Sequence, residues 1–161
     1  MRIFRGLMIL VSGFLVLLAC AWTAGRTADA AGDAEAARAF QGYGFRVLVG
    51  SAVEVREESP VEDFVLYTFT RQGVSLLHAY SGNHPQFPSS FEHGTPERHM
   101  VINGLGARCF AGEKNGTSSR ECLILLEEDP LPHYVHVSYD SLAGEDRERA
   151  NAIISSIVRA P

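Results

Sequence analysis

The sequence predicts an α+β domain: an antiparallel β-sheet meander of six to eight strands, with a C-terminal amphipathic helix packed on one face. Three observations carry this. Short β-branched and aromatic segments recur between turn residues; Asn115-Gly116 sits between two of them; and the last segment changes to a helical period. The 161 residues divide by expectation into a signal over 1–20, a linker or short helix over 21–42, and one globular domain over 43–161.

Ala21 to Gly42 is rich in Ala and Gly, a linker composition with room for a short helix at Asp33–Phe40. Strands are expected at Phe45–Val49 and Ala52–Arg56. Asp63–Thr70 is β-branched and aromatic with apolar residues on both faces, and after Gly73 it gains a partner strand, Val74–Tyr80. Ser81 to Glu97 reads as loop, punctuated by Gly82, Pro85, Pro88, Gly94 and Pro96. Arg98–Asn103, Ala107–Glu113 and Arg120–Glu128 follow as a meander, and His133–Tyr139 adds a strand. In Arg120–Glu128, Leu123 and Leu125 point to one face while Cys122, Ile124 and Leu126 point to the other. Such a strand is central and covered on both sides, the second cover coming from the N-terminal segment or the long loop. From Glu145 to Arg159, Ala150, Ile153, Ile154, Ile157 and Val158 share one helical face, and Glu145, Asp146 and Glu148 suit its N-terminal end. This order of elements resembles the small exported domains of the photosystem II extrinsic-subunit type, a fold analogy that implies no activity.

The N-terminus gives an address. Met1-Arg2-Ile3-Phe4-Arg5 is basic, and the 17 residues from Gly6 to Trp22 carry no charge. The tetrapeptide Leu17-Leu18-Ala19-Cys20 resembles a lipobox, which implies a bacterial exported lipoprotein acylated on Cys20. Two other readings stay open: ordinary cleavage at Ala19-Cys20-Ala21 or Ala28-Asp29-Ala30, and an uncleaved anchor. With Arg2 and Arg5 held inside, all three put the domain on the outer, periplasmic side.

Cysteine positions agree with that address. Apart from Cys20, only Cys109 and Cys122 remain. A two-residue turn at Asn115-Gly116 puts Lys114 opposite Thr117 and, counting outward, Cys109 opposite Cys122. That pair is non-hydrogen-bonded, with Cα atoms about 4.5 Å apart, inside the range a disulfide tolerates. The bridge is expected as a staple, since no C-x-x-C redox spacing is present.

Charge narrows the partners. The chain counts 14 basic and 19 acidic residues; loss of residues 1–19 removes Arg2 and Arg5 and leaves 12 against 19, or −7. An acidic surface argues against a nucleic-acid partner and against charge-driven docking on anionic lipid. No Gly-x-Ser-x-Gly elbow is present. Gly104-Leu105-Gly106-Ala107-Arg108-Cys109 lacks the third glycine of a dinucleotide loop and reads as a bend between strands. His133 and His136 lie three apart on a strand, so they face opposite ways and do not form a metal pair. His78 reads as half-buried beside its neighbours. Glu57, Glu58, Glu62 and Asp63, and Glu127, Glu128 and Asp129, lack calcium-loop spacing and read as solvated hairpin ends.

One segment stands out. Tyr80-Ser81-Gly82-Asn83-His84-Pro85-Gln86-Phe87-Pro88 packs two aromatics, an amide, a histidine and two prolines into nine residues. Long loops inside compact domains are often functional, and prolines reduce the entropy lost when such a loop is held for binding. Tyr80, Asn83, His84 and Phe87 are the candidate binding residues, with no catalytic residue, metal ligand or cofactor assigned. The competing use is structural: Phe87, followed by Phe91, plugs the open face of the sheet. Two function classes follow. One is a non-enzymatic envelope lipoprotein that binds an envelope protein, an envelope polymer or a small ligand through the Tyr80–Phe91 loop. The other is a small periplasmic hydrolase or metal-dependent enzyme using His78, His84, His93 or His99, which clustering of those histidines around one pocket would favour.

Overall fold

Among the described residues, ten strands and one helix build the domain. The computed structural model describes residues 36–61, 63–88, 96–128 and 133–161, all within one compact unit, Ala34–Pro161. The strands are β1 (Ala37–Gln41), β2 (Phe45–Gly50), β3 (Glu54–Val61), β4 (Phe64–Arg71), β5 (Val74–Gly82), β6 (Arg98–Ile102), β7 (Leu105–Lys114), β8 (Thr117–Glu127), β9 (His133–Leu142) and β10 (Val158–Arg159). Helix α1 (Gly144–Ser155) lies between β9 and β10.

Seven strands form one antiparallel sheet in the order β3-β4-β5-β9-β8-β7-β6. It is therefore two meanders joined side by side, with β5 against β9, and the loop after β5 carries the chain across to the far edge. The hairpin turns are tight. Gln72-Gly73, Asn103-Gly104 and Asn115-Gly116 each place two consecutive residues at positive φ, the two-residue geometry that matches strand twist. The Asn115-Gly116 turn sets the expected register: Lys114 pairs Thr117, and Cys109 pairs Cys122. The cysteines are joined, with Cα atoms 4.1 Å apart.

A second, three-stranded sheet, β1-β2-β10, lies with α1 on the inner face of the large sheet. Alternate residues of β2 (Phe45, Val47, Val49) are buried with Tyr67, Phe69, Leu77, Ala79, Val135 and Val137 of the large sheet. Helix residues Ala150, Ile153 and Ile154, and Ile157 just beyond, close that core. Phe40 meets Tyr67 and Phe69 edge-on at 5.6 and 5.8 Å, and Phe45 meets Tyr67 at 5.4 Å. Each fully buried Ile or Phe contributes about 1.5–3 kcal/mol of transfer free energy, so the inner face holds the fold.

The structure departs from the expected elements in four places. The segment expected as a helix at Asp33–Phe40 is a strand from Ala37, because Phe40 can reach the core only when β1 lies along β2. Strands number ten among the described residues, not six to eight, and form two sheets. The C-terminal helix stops at Ser155; the Ser156 N–H bonds back to the carbonyls of Ala152 and Ile153, and Val158 pairs with Arg46 as β10. Glu57 and Glu58, expected at a hairpin end, are exposed within β3, whereas Glu127, the exposed last residue of β8, is at one.

Among the described residues no helix is long and apolar enough to cross a membrane. Cys20 and the segment containing Arg2 and Arg5 lie outside the described residues.

Candidate functional site

The outer face of the large sheet differs from the inner in kind. Strand alternation places Leu66 and Thr68 of β4, His78 and Tyr80 of β5, Tyr134, His136 and Ser138 of β9, Glu121, Leu123 and Leu125 of β8, and Arg108 and Phe110 of β7 on it. The chain leaving β5 folds back over this surface, and where it does so a pocket of about 500 Å³ opens. Phe64 and Leu66 form its apolar side with Tyr80. Asp63, Asn83, His84 and Gln86 complete its lining together with His136 of β9. Its volume suits a small-molecule site.

Local chemistry explains the shape. Tyr80 lies along the sheet: its ring stacks on Phe64 at 5.2 Å, and its hydroxyl oxygen accepts the His84 N–H at 3.0 Å. Gly82 makes this possible. A Cβ there would sit 2.7 Å from the Tyr80 hydroxyl, 2.8 Å from the Phe64 Cβ and 2.9 Å from the Asp63 carbonyl. Asn83 is held so that its Oδ1 is buried without a hydrogen-bond partner. Buried acceptors are nearly always satisfied, so this one marks a place where a donor is wanted.

His136 is the residue that sequence reasoning missed as a site member. Its Nε2 lies 2.6 Å from a carboxylate oxygen of Glu121, which is completely buried. Burial pushes the His136 pKa below the ordinary histidine value, outweighing the nearby Glu121 carboxylate that acts the other way. Glu121 engages Nε2, and the other ring nitrogen, Nδ1, has no hydrogen-bond partner among the described residues. A second, smaller depression of about 170 Å³ adjoins the first through Leu66, Tyr80 and His136 and reaches Glu58, His78 and Ser138. His78 is held there by Ser75 at 3.0 Å and Thr68 at 3.4 Å.

Of the four binding residues expected from sequence, Tyr80, Asn83 and His84 converge on the pocket and Phe87 does not. Phe87 covers the sheet beside it, 5.5 Å from Phe110 and edge-on to His136 at 5.6 Å, beneath the Arg108 guanidinium. Arg108 is fixed in turn by Glu97 at 2.5 and 3.1 Å. Phe87 thus takes the structural use. Phe91 and His93 lie outside the described residues. The other histidines divide: His84 and His136 share the pocket and His78 the adjoining depression, while His99 stands 3.5 Å from Glu97 at the opposite edge.

His133 faces the inner side, as its spacing from His136 requires. Its Nε2 lies 2.8 Å from the Ser81 hydroxyl, and its ring packs on Tyr43 at 4.8 Å. Ser81 is fully buried and gives its proton to the Tyr43 carbonyl at 2.5 Å, so His133 donates to it. Burial lowers the His133 pKa. A serine whose proton is spent on a carbonyl, away from any cavity described here, is a brace and not a nucleophile. Among the described residues no group of three or more His, Cys, Asp or Glu is placed to hold a metal ion.

No protein-family model matches the chain, and no curated protein matches it either. Among solved structures, a crystal structure of a protein from Bacteroides thetaiotaomicron VPI-5482 is similar over 77% of this chain at 12% identity, with a TM-score of 0.44. The chain spans 48% of that protein's length, and a likeness of this grade carries no argument about function.

Proposed function

We propose that this chain is an exported envelope protein, held at a bacterial membrane by a lipid on Cys20, whose domain binds a partner non-enzymatically through the loop that begins at Tyr80. The partner is an envelope protein, an envelope polymer or a small ligand. One observation carries the binding reading: Tyr80, Asn83 and His84, adjacent in the chain, converge with Asp63 and His136 on one pocket whose Asn83 Oδ1 is buried and unmet. The acidic surface and the Cys109–Cys122 disulfide fit an extracytoplasmic setting.

The alternative is a small periplasmic hydrolase or metal-dependent enzyme using loop histidines. The pair His136–Glu121 favours it, because a carboxylate-oriented imidazole is the form a general base takes. Against it, the pocket lining includes no serine, threonine or cysteine to act as nucleophile among the described residues.

The test is capture from an envelope extract on immobilised full chain, beside a His84→Ala/Gln86→Ala variant. Both side chains are exposed, so the variant keeps its fold. A component held by the parent and lost by the variant is expected; equal retention by both overturns the site. Intact mass of the same preparation reads the anchor: an acyl adduct on Cys20 is expected, and an unmodified N-terminus at Ala21 or beyond removes it.

A further inference from the structure

Resting on the binding reading above, we propose that the pocket recognises a protonated amine: a small ligand that places an organic ammonium between Asp63, Asn83 and His136 against the Phe64–Tyr80 wall. The donor and acceptor inventory points there. Asp63, at the β3–β4 turn, is the charged side chain of the lining, and among the described residues no Lys or Arg lines it. Asn83 contributes a buried acceptor with no partner. His136 brings its second ring nitrogen, Nδ1, since Nε2 is engaged by Glu121 at 2.6 Å. The Tyr80 hydroxyl already accepts the His84 N–H.

Asp63 is the only Asp, Glu, Lys or Arg side chain in the lining, so a ligand of positive charge is the one it pairs with. An anion would face the Asp63 carboxylate with no Lys or Arg in the lining to meet it. A neutral hydroxyl could satisfy one acceptor but would leave the carboxylate unpaired. A primary ammonium brings three N–H donors and a positive charge, which matches the acceptors and pairs with Asp63. The stacked Phe64 and Tyr80 rings, 5.2 Å apart, offer a π-face that attracts a cation and covers its alkyl or sugar frame. The chain's net charge of −5 raises the local concentration of such a ligand.

The experiment titrates isotope-labelled full chain in detergent micelles with two amine probes, 1,5-diaminopentane and glucosamine, and follows backbone amide shifts. Their neutral counterparts are 1,5-pentanediol and N-acetylglucosamine. The two amine frames separate an alkyl from a sugar source. At least one amine should shift the amides of Asp63, Asn83 and His84, with its neutral counterpart about 10-fold weaker or worse, the usual scale of one charge-assisted hydrogen bond. Asp63 is exposed, so Asp63→Lys folds normally, and it should abolish the amine shifts. Neutral probes binding as tightly as the amines at the same amides would overturn the amine inference and leave the pocket as a binding site. No shift at those amides with any probe would overturn the inference too, and the capture experiment then decides whether the pocket binds at all.

Discussion

Two histidines three residues apart on β9 show how the two faces of one sheet divide their work. His133 turns inward and is consumed by the fold: it braces Ser81 and packs on Tyr43 beneath the small sheet. His136 turns outward, is oriented by a buried carboxylate, and lies on a pocket. The inner face is filled with Phe, Leu, Ile and Val from both sheets and α1. The outer face carries the polar groups and the one segment that folds across them. Removal of an inner residue should therefore be read in stability, and removal of a pocket residue in binding.

The largest break in that comparison comes from its aromatic residues. Phe69 on the inner face is fully buried, so Phe69→Ala should cost about 3–5 kcal/mol. Phe87 is only half-buried on the outer face, so Phe87→Ala should cost about 1–2 kcal/mol. Urea midpoints measure both, and equal costs would mean that the outer cover is as structural as the core. Next is the staple. Replacing Cys109 and Cys122 by alanine removes a cross-link between residues 13 apart and should cost at most about 3 kcal/mol, less because the hairpin is already ordered. A loss well beyond that would show that the hairpin needs the bond to form.

A smaller effect is the acid response of the two histidines. Burial lowers both folded pKa values below the ordinary 6.5. Below pH 6.5 the unfolded chain takes up protons that the folded rings refuse. Their contribution is thus complete above about pH 6.5 and is lost as pH falls from there toward the depressed folded values. Urea unfolding between about pH 7.5 and 5 should show a steeper fall for the parent than for a His133→Gln/His136→Gln variant. Parallel profiles would remove the histidines from the acid response.

Much of this was legible in the sequence where the determinants are local. Asn115-Gly116 fixed a register, and that register brought Cys109 onto Cys122. Period-two segments located β2, β4, β5 and β6 closely. The misses came where distant contacts decide. The segment around Ala37 has helix-forming composition, and only its pairing with β2 makes it a strand. The helical period runs on through Ile157 and Val158, but the end of the helix at Ser155 and the pairing of Val158 with Arg46 are tertiary events. The candidate site was half visible. Tyr80, Asn83 and His84 are neighbours in the chain, whereas His136 and Glu121 meet only across β8 and β9. A signal was present: Glu121 is a carboxylate beside a run of five apolar residues, a position that demands a buried partner.

The central claim is that the outer pocket, not the inner face, meets the partner. Hydrogen exchange of the full chain, with and without envelope extract, tests it most directly. New protection is expected to be confined to residues 63–66, 80–86 and 134–138, with the inner strand β2 and helix α1 unchanged. Protection appearing instead on α1, β2 or the β6 edge, with the pocket amides unaffected, would contradict it.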